Sequence, residues 1–201
     1  MPSILHFASR SAMDIEGMGK AVVDQLVDKG LVKDYGDIYS LKVEDVMKLD
    51  RMAEKSASNL IEAIEASRSN ELNRLIYALG IRHIGERAAW VLAEAFRSIE
   101  NLKDASGDDL EKIKDMGPVA AKSLVDFFAA KENRAVIKKL DEAGIRAAPP
   151  TRESSGKFFG KTIVITGTLA SMSRQEAEDA VRRLGGNASS GVSKKIGRAH
   201  V

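Results

Sequence analysis

The sequence predicts a mainly α fold, a tandem array of short helical hairpins followed by the start of a small α/β unit. Three observations predict it. First, the pattern of an apolar residue, two further positions, an apolar residue and then Gly or Ala occurs four times. The copies are Ile15, Met18, Gly19; Leu49, Met52, Ala53; Ile81, Ile84, Gly85; and Ile113, Met116, Gly117. Second, successive copies lie 34, 32 and 32 residues apart, and a leucine (Leu26, Leu60, Leu92, Leu124) stands seven residues after each Gly or Ala. A fixed period of this kind marks an internal repeat. Third, the apolar period changes after a Pro/Ser-rich stretch, where Thr162-Ile163-Val164-Ile165-Thr166 reads as a buried strand.

Taken in order, residues 4–14 read as a lead helix running into the first turn. Val22, Val23, Leu26 and Val27 give the next helix its apolar face, and Gly30 stops it. Tyr35, Ile38, Tyr39 and Leu41 read as a loose apolar connector, and residues 40–45 start another short helix. In the second copy Arg51 and Ala53 replace both glycines. Arg51 is expected to resist a left-handed backbone, so this copy is expected to be structural only. Residues 71–79 lead into the third turn, Gly80-Ile81-Arg82-His83-Ile84-Gly85, and its helix runs from residue 86 to 96. Ser106 begins an N-cap cluster for the fourth lead helix, and Pro118 takes the first helical position, where its missing N–H costs nothing. A last helix spans residues 133–143. In the α/β part, Gly167 belongs to a turn, and Ser173 with Glu176 forms a capping box for a helix over residues 173–184. Gly185-Gly186 ends that helix, and a second strand can begin at Ala188. Residues 196–201 fit neither a strand nor a helix end and read as a translated sequencing adapter, to be set aside from the fold.

Composition narrows the function. With 44% apolar residues the chain can bury a core, while 5% aromatic content disfavours stacking platforms for single strands. The absence of cysteine excludes thiolate zinc sites and disulfides in this stretch. No apolar run approaches a membrane span and no signal peptide is visible, so no membrane partner and a cytoplasmic location are expected. Residues 1–148 hold 22 Lys and Arg against 25 Asp and Glu, a balance of −3; residues 149–201 hold 9 against 4, a balance of +5. The repeat region therefore cannot hold an anionic partner by bulk charge and must place cations locally.

A Gly-rich turn that opens a helix has a direct chemical use. The first helical N–H groups lack intrahelical acceptors and carry partial positive charge, and Gly lets a phosphate approach the backbone. A helix, a tight turn and a second helix form a helix-hairpin-helix, which grips nucleic-acid backbones without reading bases. The candidate phosphate-binding residues are Gly17, Gly19, Lys20, Arg82, His83, Gly85, Arg87, Lys114, Gly117 and Lys122. Arg51 and Lys55 belong to the same in-register set of cations. His83, with no second His nearby, is a poor metal ligand; a phosphate or solvent contact is expected.

His6-Phe7-Ala8-Ser9-Arg10, Ile15-Glu16-Gly17-Met18-Gly19, Ala53-Glu54-Lys55-Ser56-Ala57, Gly80-Ile81-Arg82-His83-Ile84-Gly85 and Met116-Gly117 resemble the C-terminal part of bacterial NAD-dependent DNA ligases. Residues 159–168, Leu184-Gly185-Gly186 and Val192-Ser193-Lys194-Lys195 resemble the opening of a BRCT domain. The resemblance implies residues 1–147 as a four-fold helix-hairpin-helix domain, 148–157 as linker, 158–195 as a truncated BRCT domain and 196–201 as a non-native tail. It implies a parent enzyme that uses NAD and a divalent metal such as Mg to seal nicks in duplex DNA, in replication and repair at the bacterial nucleoid. The adenylated lysine of that family lies in a Lys-x-Asp-Gly motif, which this chain lacks; Lys33-Asp34-Tyr35-Gly36 has the wrong order. The adenylation, OB-fold and four-cysteine zinc-finger domains are absent as well. No catalytic residue, metal site or cofactor site is therefore expected here, and the stretch alone is expected to be inactive. What remains is a clamp for nicked double-stranded DNA. Thr166 and Gly167 match the position at which some BRCT domains bind phosphate, although a structural role for Thr166 fits better, because the matching later lysine is missing.

Other readings keep the same residues. A non-catalytic repair or recombination scaffold would use both modules to recruit partners. A tetratricopeptide-like array would need large apolar packing residues and no Gly at its helix starts. A glycosylase would need a catalytic Asp and a base pocket, for which Asp126 and Asp141 are poor candidates on ordinary amphipathic helices.

Overall fold

A computed structural model describes residues 4–113, 116–151, 156–167, 169 and 171–189, and the chain divides into two compact units, Met1–Pro149 and Pro150–Val201. In the first unit the helices are α1 (Ile4–Ala8), α2 (Lys20–Asp28), a 3-10 turn (Asp37–Ser40), α3 (Val43–Val46), α4 (Glu54–Ser67) and α5 (Leu72–Ala78). They are followed by α6 (Glu86–Phe96), α7 (Ile99–Lys103), α8 (Gly107–Glu111), α9 (Pro118–Ala129) and α10 (Lys131–Glu142). The pairs α1/α2, α3/α4, α5/α6 and α8/α9 are the four hairpins.

The hairpins fold alike because the repeat places the same groups in the same places. The backbone N–H of the second apolar residue donates to the carbonyl of the first in every copy. Met18 bonds Ile15 at 3.2 Å, Met52 bonds Leu49 at 3.3 Å, Ile84 bonds Ile81 at 3.0 Å and Met116 bonds Ile113 at 3.0 Å. The four repeat leucines are at most 1% exposed. Each such burial contributes about 2 kcal/mol. A single apolar core runs from Phe7 to Ile145 and takes in all four hairpins.

Several boundaries differ from expectation. The first lead helix ends at Ala8 rather than running to residue 14, because the chain turns through residues 9–13. The connector at residues 35–41 is ordered, not loose. Tyr35 stacks on Phe7 (centroids 4.7 Å, planes 5° apart), and Tyr39 meets Phe7 edge-on. Arg68 lies 5.0 Å over the Tyr39 ring and donates to the carbonyls of Tyr39 and Ala143. Helix α7, absent from the sequence reading, is capped by Ser98, whose hydroxyl accepts from Asn101 N–H at 3.1 Å. The last helix of the unit begins at Lys131, two residues before the expected start. Ala148, assigned to a linker, accepts from Leu72 N–H at 2.8 Å and so belongs with the first unit's framework.

Helix α6 ends on Arg97, whose φ of +65° puts an L side chain where glycine is usual. Arg97→Gly is expected to stabilise the unit by about 0.5–1 kcal/mol, read as a higher urea midpoint. An unchanged or lower midpoint would count against this assignment of strain.

In the second unit, β1 (Thr162–Val164), α11 (Arg174–Arg183) and β2 (Asn187–Ser189) form a strand–helix–strand. The strands pair in parallel, Thr162 with Asn187, Ile163 with Ala188 and Val164 with Ser189. The expected capping box is present: Ser173 Oγ accepts from Glu176 N–H at 3.2 Å, and Glu176 accepts from Ser173 N–H at 2.6 Å. Gly186 is needed for close packing, since a Cβ there would lie 2.9 Å from Phe158 Cβ and Val181 Cγ1. The strand expected to be buried is not. Thr162 is exposed and Ile163 and Val164 are half-buried, because the two strands and one helix found among the described residues cannot cover both faces. Val192, Ser193, Lys194, Lys195 and residues 196–201 lie outside the described residues.

Candidate nucleic-acid interface

Each hairpin turn opens a helix in the same way. Gly19, Ala53, Gly85 and Gly117 are the N-cap residues of α2, α4, α6 and α9, with extended backbones (φ −76°, −82°, −89° and −90°). All four are exposed, and none of these helices has a side-chain cap. Among the helices that do not follow a hairpin turn, α7, α8 and α11 are capped by the hydroxyls of Ser98, Ser106 and Ser173, while α5 and α10 have no side-chain cap either. The hairpin helices thus present their first N–H groups, with the positive end of the helix dipole, to solvent.

The glycines at these mouths are not required by the fold. Their φ values are open to any residue, and a Cβ on Gly19, Gly85 or Gly117 would meet nothing within 4 Å. The position that demands a special backbone is two residues earlier. Gly17 has φ +85°, and its counterparts Arg51 and His83 have φ +61° and +65°. Arg51 therefore adopts the left-handed conformation that it was expected to resist. Its neighbours hold it there, with Leu49 buried and its carbonyl closing the turn onto Met52 N–H. The degenerate second copy keeps the backbone of the others and lacks only the bare Cα at its mouth. Lys114, and Asp115 at the fourth copy's equivalent position, lie outside the described residues.

The candidate cations divide into two groups. Arg51, Lys55, Arg82 and His83 are exposed and have no hydrogen-bond or ion-pair partner among the described residues. Lys20 and Lys122, candidate phosphate-binding cations beside the mouths, are paired along their own helices. Lys20 Nζ lies 2.6 Å from Asp24 and Lys122 Nζ 2.6 Å from Asp126. The hydrogen bond and charge of Asp24 hold the Lys20 ammonium above its ordinary pKa. Both pairs are exposed and screened by solvent, so an incoming phosphate can compete with the carboxylate. Arg87 is exposed on the first turn of α6.

The fold also gathers residues that sequence spacing kept apart. The third turn and α9 bound a groove of about 670 Å³ whose lining includes Gly80, Arg82, His83, Val119 and Lys122. Cations from the third and fourth hairpins thus share one concavity. Val119 is 63% exposed there, one position past Pro118. A large apolar side chain beside a helix mouth is a signal that periodicity could not separate from core. In the second unit Thr166 is exposed and Gly167 has φ +81°. Among the described residues no three His, Asp or Glu side chains gather as a metal site, and no helix is long and apolar enough to cross a membrane.

Comparison with known proteins agrees with this geometry. Residues 9–66 match the family described as a SAM-like helix-hairpin-helix tandem, and residues 74–137 match the helix-hairpin-helix motif family. The DNA ligase of Geobacter sulfurreducens is 48% identical over 193 residues, and those of Geobacter metallireducens and Halothermothrix orenii are 50% identical over 193 and 195. Each alignment covers 96% of this chain and 29% of the relative, so the chain spans under a third of the length of these relatives. The two helix-hairpin-helix matches and the 48–50% identity to these proteins along 96% of its own length identify the chain as a fragment from the C-terminal part of a bacterial DNA ligase.

Proposed function

We propose that this segment is the DNA-holding part of an NAD-dependent ligase that seals nicks between 5′-phosphate and 3′-hydroxyl ends. The observation that carries the reading is the set of three bare mouths. At Gly19, Gly85 and Gly117 the fold has no use for glycine, and no side chain caps the helix. A group that needs both the open Cα and the free N–H donors is a backbone phosphate. Donors would come from the amides at the start of α2 and α6. In the fourth mouth Pro118 has no N–H, so Gly117 and Val119 would supply them. Lys20, Arg82, His83, Arg87, Lys114 and Lys122 would add charge beside these amides, with Gly17 shaping the first turn.

Residues 1–149 would form this grip, residues 150–157 a linker and residues 158–195 the opening of a BRCT domain, a reading supported by the parallel strand–helix–strand of the second unit. Thr166 and Gly167 would shape its first turn. The adenylation, OB-fold and zinc-finger domains of the parent enzyme would supply the chemistry. NAD and a divalent cation, implied for that enzyme, are assigned to no residue of this chain. A cytoplasmic, nucleoid-associated setting follows from the substrate.

Phosphate contacts release counterions and carry no base information, so duplex affinity is expected to fall linearly with salt on a log–log plot, by about 0.9 in slope per phosphate held. Competition among duplexes of different sequence should leave affinity unchanged within a few-fold. A salt-independent affinity, or strong preference for one sequence, would overturn the reading.

A further inference from the structure

The segment before the first turn and the stretch that leads into the third are joined by polar groups. Asn70, Arg74 and Tyr77 lie at intervals of four and three; His6, Arg10, Met13 and Asp14 lie at four, three and one. Asn70 Nδ2 donates to the Met13 carbonyl at 2.7 Å. The Arg74 guanidinium donates to the Arg10 carbonyl and lies 3.8 Å from the Asp14 carboxylate. His6 Nε2 is 2.9 Å from the Tyr77 carbonyl, with the two rings edge-on at 4.8 Å. Arg74 is largely buried and its Nε has no partner. Burying a partly satisfied guanidinium costs stability relative to an apolar side chain, so its presence calls for a role other than cohesion.

Position supplies that role. Asp14, itself at φ +50°, directly precedes the first turn, and α5 runs through Leu79 and Gly80 directly into the third. We infer that Arg74 and Asn70 are positioning residues that set the first mouth in register with the third, so that both hairpin pairs seat on one duplex. The core already holds the two pairs together. What it leaves open is a slide or rotation of residues 10–14 against residues 70–78, since apolar contacts are not directional, whereas N–H donors of Asn70 and Arg74 on the Met13 and Arg10 carbonyls, with the Asp14 carboxylate at ion-pair distance, fix one setting. The inference rests on the reading of the mouths as phosphate grips and adds how two of them act together.

The test compares the 201-residue chain with Arg74→Met, which keeps the aliphatic stem, and with the milder Asn70→Ala, on labelled blunt duplexes of increasing length. Wild-type affinity should rise with length until both pairs are seated. In the variants, with helix content unchanged, affinity for the longest duplex should drop about tenfold. Its salt slope should become shallower by about 2, the share of two phosphates, while affinity for the shortest duplex stays the same. Identical length profiles and slopes in wild type and in either folded variant would overturn the inference and leave the grip itself standing. A wild type without salt-dependent duplex binding would remove the grip. Should Arg74→Met fail to fold, Asn70→Ala and Arg74→Lys carry the comparison, and a wild-type profile in both would refute the positioning role.

Discussion

Val at positions 85 and 117 together is expected to abolish most duplex binding while leaving the helices in place. The extended backbones at these positions (φ −89° and −90°) lie in the region that β-branched residues favour, and each new side chain would point into open space. Replacing a Gly N-cap by Val costs roughly 1 kcal/mol or less per helix, a fraction that the buried Leu92 and Leu124 can absorb. The loss on the binding side is larger. A charge-assisted hydrogen bond contributes about 1.5–3 kcal/mol, so denying phosphate to two mouths should weaken binding by about a hundredfold or more. Circular dichroism with titration of a labelled duplex separates the two effects. Wild-type affinity in a folded double variant would show that the amides at these mouths take no phosphate.

Lys139→Met is expected to cost the hairpin unit a substantial part of its stability. Lys139 Nζ lies 2.6 Å from Asp34 and 2.7 Å from Asp37, joining α10 to the start of the 3-10 turn and the residues just before it. Asp34 is nearly buried, and a carboxylate stripped of its cation there is costly. For a fully buried pair the loss is about 3–5 kcal/mol; Lys139 is 42% exposed, so screening brings the expectation to about 2–3 kcal/mol. In a domain of this size that is roughly a 5–10 °C drop in Tm. The pH dependence has a definite sign. Hydrogen bonds from Lys139 to Asp34 and Asp37 raise the lysine above its ordinary 10.5, so its contribution is complete below that value and is lost as pH rises through the folded value. Partial burial pushes the Asp37 carboxyl up, but bonds from Lys139 and from the N–H groups of Lys33 and Asp34 outweigh it and hold it below 3.8. Its contribution is complete above 3.8 and is lost as pH falls through the folded value. The gap between wild type and variant should thus be widest between about pH 4 and 10 and narrow on either side. Equal urea midpoints at pH 7 would refute the assignment.

This triad also shows where reading the sequence stops. Lys33-Asp34-Tyr35-Gly36 invited comparison with a catalytic motif and failed it, yet nothing local revealed its use. Gly36 is small because a Cβ there would lie 2.9 Å from Lys139 Cβ, more than a hundred residues away. Long-range approach of this kind leaves no periodic trace. The hairpins were legible because their signals are local: one apolar pair, one mouth and one leucine at fixed offsets. The backbone of Arg51 was misjudged for a related reason, since its intrinsic preference is overruled by buried neighbours that propensity alone does not count. At the candidate interface the glycines, Arg82 and His83 could be named from spacing, whereas the groove that joins Arg82 to Lys122 could not. Two hairpins meet there only after the core has formed.

The hydrogen bond that closes each turn has a consequence for how such arrays diversify. Closure depends on one amide, one carbonyl and an apolar pair that packs on the core, whereas the space beyond the bare Cα at Gly19, Gly85 and Gly117 is open. Selection for folding and selection for grip therefore act on different atoms within the same six residues. On the proposed reading a duplicated hairpin is free to lose its grip and survive as scaffold, the role expected of the second copy with Ala53 at its mouth, or to take on a new ligand without first relearning how to fold.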